Sequence, residues 1–212
     1  MMRRVVAMTA LLLASTARAD DSAALAGAEA QQAYHAMVAF VATRVAARPK
    51  DSVILAADAP LVKGAFVPCE SKPLALVIAL DSAVRGQVTA TADVVSGAHH
   101  AVDEARKASV AVIFTTDRPA AEGPGIATAL NTLKLGPVTA GDTLLMGGGG
   151  DSRRAAIAAK YCVVAVAGSR LSDFSDKFAA EASDDARRAV AVHSRAAGQW
   201  GKGWFVVPDT AK

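Results

Sequence analysis

Three apolar runs of strand length constrain the fold of this chain more than any other feature. They cover residues 74–80, 110–115 and 162–167, and hardly any polar residue interrupts them. Strands with one face in water alternate polar and apolar residues, whereas strands covered on both faces are continuously apolar. Segments with helical character separate the runs. This alternation predicts a doubly wound, Rossmann-like α/β fold with a mostly parallel sheet.

Weaker patterns predict the remaining elements. Apolar residues recur every three or four positions from Tyr34 to Val45, which predicts a helix over residues 22–48. We interpret residues 20–70 as an N-terminal helical extension and residues 71–212 as the α/β domain. The other predictions are a short helix with a connector over 52–71, helices over 96–107 (opened by Ser96), 121–134, 152–161 and 173–198, and strands over 144–146 and 204–207.

Residues 1–19 have the pattern of an export signal. Arg3 and Arg4 precede an apolar stretch, and Ala17-Arg18-Ala19 forms a small-residue cleavage site. Cleavage after Ala19 predicts a periplasmic or secreted protein that is not held in a membrane. The signal carries three arginines and no acid, so 20 basic residues face 20 acidic residues in the remainder. This charge balance predicts no nucleic-acid partner.

The chain has two cysteines, Cys69 and Cys162. Export makes a disulfide between them chemically possible. Cys69 lies shortly before the first long apolar run and Cys162 opens the third, so the sulfurs can meet if those two strands are neighbours. The alternative is two separate thiols, with Cys162 a buried strand residue.

Polar residues follow each of the three long strands. The first is followed by Asp81-Ser82, the second ends in Thr115-Thr116-Asp117-Arg118, and the third is followed by Gly168-Ser169-Arg170 with Asp173 close behind. Ligands of doubly wound folds bind beyond the carboxyl ends of the parallel strands. The sequence therefore predicts a polar crevice of mixed charge at that edge.

Five motifs in order carry a resemblance to a known family. The chain resembles the bacterial class B and class C acid phosphatases of the haloacid dehalogenase superfamily, a group that includes secreted 5′-nucleotidase lipoproteins. The resemblance spans residues 72–208 and rests on Lys72-Pro73 with Asp81, on Thr115-Thr116-Asp117-Arg118, on Arg153–Tyr161, on Gly168–Phe174 and on Trp200–Pro208.

The resemblance implies phosphomonoester hydrolysis with Mg²⁺, yet several expected groups are replaced. The nucleophilic aspartate that attacks phosphorus is Ala79 here. The second aspartate, which acts as acid and base and whose backbone carbonyl helps to hold Mg²⁺, is present as Asp81. The position of the aspartate that binds Mg²⁺ directly is occupied by Ser169. The aspartate that supports the metal through its ligands, without contacting it, is present as Asp173. We therefore expect the metal to be lost and no cofactor to be required.

The phosphate-binding residues are partly kept. The resemblance assigns phosphate binding to Thr116, which is present. The lysine that neutralises the phosphate has no counterpart, because no lysine lies between Lys134 and Lys160. Arg153 or Arg154 is the nearest cation that could take part of its role. The cap insertion that normally follows the first motif is also predicted to be largely absent, since Asp81 is followed after only about a dozen residues by the segment expected after the cap.

These residues predict an exported protein of the acid phosphatase family that is catalytically degenerate. Two alternatives stay open: a low-activity, Mg²⁺-dependent acid phosphatase or 5′-nucleotidase, and a non-catalytic protein that binds a partner or an anion such as a phosphate-containing small molecule. Simpler structural roles also remain for several residues. Asp81 can end a strand, Asp173 can cap a helix, His99-His100 can lie exposed, Gly147–Gly150 can form a turn, and Trp200 and Trp204 can anchor the last strand by packing.

Overall fold

The computed structural model describes residues 27–81 and 92–208, with side chains of the second range described from residue 97 onward. A five-stranded sheet forms its centre, with strand order β5-β4-β3-β6-β7 and every neighbouring pair parallel. This confirms the predicted doubly wound α/β fold. The strands are β3 (Leu74–Ala79), β4 (Ala111–Thr116), β5 (Leu144–Met146), β6 (Cys162–Gly168) and β7 (Trp204–Val206).

Helices follow the strands in alternation. Helix α1, over residues 27–47, precedes the sheet and buries Tyr34 and Val41, as the apolar spacing predicts. The predicted export signal and residues 22–26 lie outside the described residues. The helices after α1 are α2 (Ala92–Lys107), α3 (Gly123–Thr132), α4 (Gly150–Lys160), α5 (Leu171–Phe174) and α6 (Asp184–His193).

Both faces of the sheet are covered, which explains the continuous apolar runs. Along β3, Leu76 and Ile78 point to a core shared with α1, α2 and α3. Ala75 and Val77 point to the opposite core, which includes residues of α4 and the aromatic side chains near the end of the chain. Successive strand residues alternate between faces, so a strand buried on both sides must be apolar at every position.

The segment before the sheet contains a hairpin in place of the predicted short helix. Strands β1 (Asp51–Leu55) and β2 (Phe66–Pro68) pair antiparallel, with Asp51 opposite Pro68. The prediction of a short helix here was wrong because the short β-branched run around Val53 favours a strand, and within the described residues the predicted helical extension is helical only in α1. The hairpin packs on the sheet, and the Trp204 indole N–H donates a hydrogen bond of 2.9 Å to the Val53 carbonyl.

The predicted long helix over 173–198 is also wrong, since the chain forms four short helical segments there. A 3-10 turn over Asp176–Ala180 follows α5, and another over Arg195–Gln199 follows α6. Ser175, Ser183 and Ser194 each accept a backbone N–H two or three residues ahead and so cap the next segment. Serine at these positions starts new helical turns.

Helix α2 begins at Ala92, so Ser96 lies inside that helix and does not open it as predicted.

A disulfide joins Cys69 to Cys162, with Cα atoms 4.7 Å apart. Both residues are buried. Cys162 opens β6 and lies opposite Leu74 of β3, so the predicted condition of neighbouring strands is met.

Trp200 and Trp204 pack on Phe174 with ring centroids 5.0 and 5.6 Å away, which confirms their role as packing anchors. Within the described residues, no helix is long and apolar enough to cross a membrane.

Candidate functional site

The sheet register brings the three predicted polar segments together. Ile78 of β3 lies opposite both Phe114 of β4 and Ala167 of β6, so the three strands end at the same edge. The residues that follow these strands meet there. We call this group the crevice cluster; it consists of Asp81, Thr116, Asp117, Arg153, Ser169, Arg170 and Asp173.

The last residue of β3 brings no reactive group to the crevice. It is Ala79, paired with Thr115 of β4, and its side chain is a methyl group. Asp81 is the first carboxylate after the strand, and the sequence from 82 to 92 contains neither aspartate nor glutamate. The region of the predicted cap deletion, residues 82–91, lies outside the described residues. The β3 end therefore supplies one carboxylate where the resemblance implies two.

Hydrogen bonds hold both oxygens of Asp81. Its Oδ1 accepts the Thr116 hydroxyl at 2.6 Å, and its Oδ2 accepts the backbone N–H of Asp117 at 2.7 Å. The Arg170 guanidinium also donates to Oδ2, at 3.2 Å. The side chain is only 13 % exposed. Asp81 is therefore an oriented, ion-paired carboxylate, and the Thr116 hydroxyl expected to bind phosphate donates to this carboxylate.

Arg170 is the central residue of the cluster, and sequence reasoning gave it no role. Its Nη2 donates to Asp117 at 2.9 Å and to Asp173 at 2.9 Å, in addition to Asp81. Burial opposes its charge, but the nearby carboxylates of Asp173, Asp81 and Asp117 prevail and raise the pKa of Arg170. The available signal was a cation placed directly after the third long strand.

The Asp173 side chain holds the backbone of the loop that follows β6. Its Oδ2 accepts the backbone N–H groups of Ser169 and Arg170, both at 2.9 Å. The N-cap of α5 is Arg170, so the alternative that Asp173 is the N-cap is wrong. Asp173 is the third residue of the helix, and its side chain accepts the backbone N–H of the N-cap, as in a capping box. A Cβ at Gly168 would lie 2.5 Å from the Asp173 side chain, which explains the glycine. Burial raises the pKa of Asp173, against the hydrogen bonds and charge of Arg170.

Ser169 links the ends of β3 and β6. Its hydroxyl donates a hydrogen bond of 2.9 Å to the backbone carbonyl of Asp81. The resemblance assigns metal contacts to this carbonyl and to the side chain at position 169. In this chain the two groups bond to each other.

Arg153 is buried and bound to other protein groups. Its guanidinium donates to the Gly147 carbonyl and to the Asp117 carboxylate. Burial of Asp117 alone would raise its pKa, but hydrogen bonds from Arg153 and Arg170 and their charges outweigh this effect and lower the pKa. Thr116 and Arg153, the two residues predicted to bind phosphate, thus lie in one cluster with their donors directed at carboxylates or a carbonyl.

Arg154 belongs to a second, adjacent ion-pair group. Its guanidinium lies 2.7 Å from Asp151 and 2.9 Å from Asp176. It also donates to the backbone carbonyls of Ser172 and Asp173, at 2.8 and 3.0 Å. Arg154 therefore fastens the start of α4 to α5.

Three of the four glycines predicted to form a turn precede α4, whereas Gly150 is the first residue of that helix. Gly147, Gly148 and Gly149 have φ angles of 60°, 70° and 79°. Residues with a Cβ rarely adopt this left-handed region, whereas glycine does so without strain. The glycines thus serve the sharp connection from β5 to α4.

The described residues contain no group of three histidine, cysteine, aspartate or glutamate side chains placed to hold a metal ion. The three crevice carboxylates are separated by the Arg170 guanidinium. His99 lies 3.1 Å from Asp103 on α2, and His100 packs on His35 of α1. The donor set of the crevice therefore does not fit Mg²⁺, which prefers near-octahedral oxygen ligands with one or two carboxylates among them.

Comparison of the sequence with protein-family models and with curated proteins finds no match. Comparison of the structure does. The class C acid phosphatase from Bacillus anthracis superimposes with a TM-score of 0.63 at 15 % identity, over 90 % of this chain and 85 % of that one. The class C acid phosphatase from Bacillus anthracis with tungstate bound superimposes with a TM-score of 0.64 at 15 % identity, over 86 % of this chain and 77 % of that one.

The chain has the class C acid phosphatase fold. At 15 % identity the likeness concerns the fold alone. It agrees with the order of elements and with the five-stranded parallel sheet.

Proposed function

We propose that this chain is an exported protein with the acid phosphatase fold that does not hydrolyse phosphate monoesters. One observation carries the proposal: β3 ends in Ala79, at the position where the resemblance places the nucleophilic aspartate. An alanine side chain cannot form a phospho-enzyme bond. Loss of a catalytic nucleophile costs on the order of 10⁴–10⁶ in turnover in other hydrolases.

The remaining members of the site support the same proposal. Asp81, the acid and base of the resemblance, is ion-paired to Arg170 and accepts three hydrogen bonds. A general base must lie within hydrogen-bond reach of the water that it deprotonates. Here both carboxylate oxygens of Asp81 already accept hydrogen bonds from protein groups. We propose that no Mg²⁺ is held, because the donor set does not fit that ion.

The two alternative functions each require that different contacts within the crevice be broken. A weakly active Mg²⁺-dependent phosphatase needs Asp81 released from Arg170. A protein that binds a phosphate-containing small molecule needs donors now directed at carboxylates, those of Thr116 and Arg153. The crevice cluster holds three carboxylates against two guanidiniums, Arg153 and Arg170, which leaves one net negative charge. That balance disfavours a bound anion, so the geometry supports a protein without phosphatase activity better than it supports a weakly active phosphatase or a phosphate-binding protein.

Export is proposed on two observations. Residues 1–19 have the composition of a cleavable signal. The buried Cys69–Cys162 bridge is of a kind that persists in oxidising compartments and is rare in the cytosol. The proposed location is therefore the periplasm or the outside of the cell.

The activity part is tested by hydrolysis of p-nitrophenyl phosphate by purified protein, with and without Mg²⁺, from acidic to neutral pH. We expect no release of p-nitrophenol above that of buffer. Sustained turnover that disappears in Asp81→Asn would contradict the proposal and favour the low-activity enzyme.

The export part is tested by intact-mass measurement on protein recovered from the cell. The expected N-terminal residue is Asp20. Ala17→Arg combined with Ala19→Arg should block cleavage, because the cleavage site requires small residues. Recovery of the wild-type chain with residues 1–19 still attached, in the cytosol, would overturn this part.

A further inference from the structure

A single guanidinium lies where the three carboxylates of the crevice converge. The Nη2 atom of Arg170 is 3.2 Å from Asp81, 2.9 Å from Asp117 and 2.9 Å from Asp173. Its Nε donates to Asp173 as well, at 3.2 Å. These carboxylates follow β3, β4 and β6 respectively, so Arg170 joins the ends of three adjacent strands with one positive charge.

The backbone around Arg170 fixes this arrangement. Asp173 accepts the backbone N–H of Arg170, which orients the start of α5. The preceding residue, Ser169, donates its hydroxyl to the Asp81 carbonyl. Arg170 therefore cannot leave the crevice by a simple change of side-chain rotamer without giving up contacts to all three carboxylates.

A guanidinium and a divalent metal ion have the same electrostatic effect on neighbouring carboxylates, but they contact them differently. Both neutralise carboxylates that would otherwise repel one another. Arginine is permanently charged and donates through a planar fork, and it remains bound because it belongs to the chain. Mg²⁺ requires several oxygen atoms directed at one point. The Ser169 hydroxyl and the Arg170 nitrogens instead direct hydrogens towards the oxygens of Asp81.

We propose that Arg170 is a resident cation that takes the neutralising role of the divalent metal implied by the fold, and that it excludes Mg²⁺ even when the missing carboxylates are restored. The inference goes beyond the proposed function, which rests on the missing nucleophile and on an unsuitable donor set but names no residue that keeps Mg²⁺ out. It rests on that proposal only for the location of the crevice. Restoration of aspartate at positions 79 and 169 is thus insufficient for metal binding, and removal of Arg170 is the decisive step.

The test compares Mg²⁺ binding by two reconstructed crevices. The first carries Ala79→Asp and Ser169→Asp, and the second adds Arg170→Gln. Binding is measured by calorimetric titration with MgCl₂ and by the melting temperature in EDTA and in excess MgCl₂. We expect saturable Mg²⁺ binding and a Mg²⁺-dependent rise in the melting temperature of the variant with Arg170→Gln. Its affinity for Mg²⁺ should be at least about tenfold higher than that of the first variant, because the carboxylates are then available as ligands.

Two outcomes of this titration would overturn the inference. One is equal Mg²⁺ affinity of the two reconstructed crevices, and the other is a Mg²⁺-dependent rise in the melting temperature of the wild-type protein. Neither result depends on hydrolysis, so failure of the inference is distinguishable from failure of the proposed lack of phosphatase activity.

A single substitution keeps the inference testable should the triple variant fail to fold. Arg170→Gln in the wild-type background leaves the crevice carboxylates without their shared cation. Its melting temperature should fall below that of the charge-preserving Arg170→Lys, and NaCl should narrow the gap, because salt screens the carboxylate repulsion. Equal melting temperatures of Arg170→Gln, Arg170→Lys and wild type at low salt would overturn the resident-cation role.

Discussion

The strand pair β3–β6 is fastened in different ways at its two ends. At the amino end, the disulfide Cys69–Cys162 joins the segment before β3 to the first residue of β6, in apolar surroundings. At the carboxyl end, the Ser169 hydroxyl bonds to the Asp81 carbonyl and Arg170 pairs with the Asp81 side chain. Ligands of doubly wound α/β folds bind at the carboxyl end of the sheet. In this chain a hydrogen bond and an ion pair link the residues after β3 to those after β6 at that end.

The strongest test of this comparison removes the covalent end. Cys69→Ala combined with Cys162→Ala should lower the free energy of unfolding by about 4–5 kcal/mol, because the bridge spans 93 residues and restricts the unfolded chain. Urea denaturation monitored by circular dichroism measures the change. Wild-type protein unfolded in reductant should show the same loss. Equal stability of the oxidised wild type and the variant would contradict the proposed importance of the amino end.

A second test removes the buried cation beside the crevice. Arg154→Met leaves Asp151, Asp176 and two carbonyls without their donor, which should cost about 2–3 kcal/mol by urea denaturation. Arg188→Met is the matched control. Arg188 also pairs with an aspartate, Asp185, but on an exposed helix surface, where such pairs contribute little. Similar losses in both variants would mean that burial does not distinguish these pairs.

A third test breaks the polar link between β3 and β6. Ser169→Ala removes the donor to the Asp81 carbonyl and should lower the free energy of unfolding by about 1 kcal/mol. Ser169→Thr keeps the hydroxyl and serves as the control. No loss in the alanine variant, or an equal loss in both, would show that the hydrogen bond does not hold the carboxyl end together.

The smallest expected effect concerns pH. The pKa of Asp117 is lowered in the folded protein because the hydrogen bonds and charges of Arg153 and Arg170 outweigh its burial. A lowered folded-state pKa stabilises the protein above the unfolded value and the gain is lost as pH falls through the folded value. The stability difference between wild type and Asp117→Asn should therefore be constant at neutral pH and shrink below about pH 4.

Urea midpoints measured from neutral to strongly acidic pH check this dependence. The side chain is half exposed, so solvent screening keeps the effect small. A difference that grows towards acid would have the wrong sign and would contradict the assigned cause.

Much of the fold was predictable because its signals are local. The runs at 74–80, 110–115 and 162–167 had to be buried on both faces, and the structure places them side by side as β3, β4 and β6. The hairpin was missed because its apolar run at Val53-Ile54-Leu55 is short and its partner β2 has only three residues. The breaks after Asp173 were missed although Ser175, Ser183 and Ser194 gave a local signal for them.

The candidate site was predictable in its members but not in its contacts. Asp81, Thr116, Ser169 and Asp173 all lie in the crevice cluster where the sequence placed them. The role of Arg170 was not predictable, because its partners Asp81 and Asp117 lie 89 and 53 positions away in the chain. A resemblance at a motif names the position of a residue, whereas the direction of its side chain depends on all three strand ends.

The sequence by itself determined a parallel sheet covered on both sides and a polar edge that lacks an aspartate at Ala79, because burial and residue identity are properties of single positions. Only the tertiary structure decided that Cys69 meets Cys162 and that Arg170 fills the space between three carboxylates. Both contacts join segments far apart in the chain. Their distances depend on which strands are neighbours in the sheet, and that order joins residues 93, 89 and 53 positions apart in the chain.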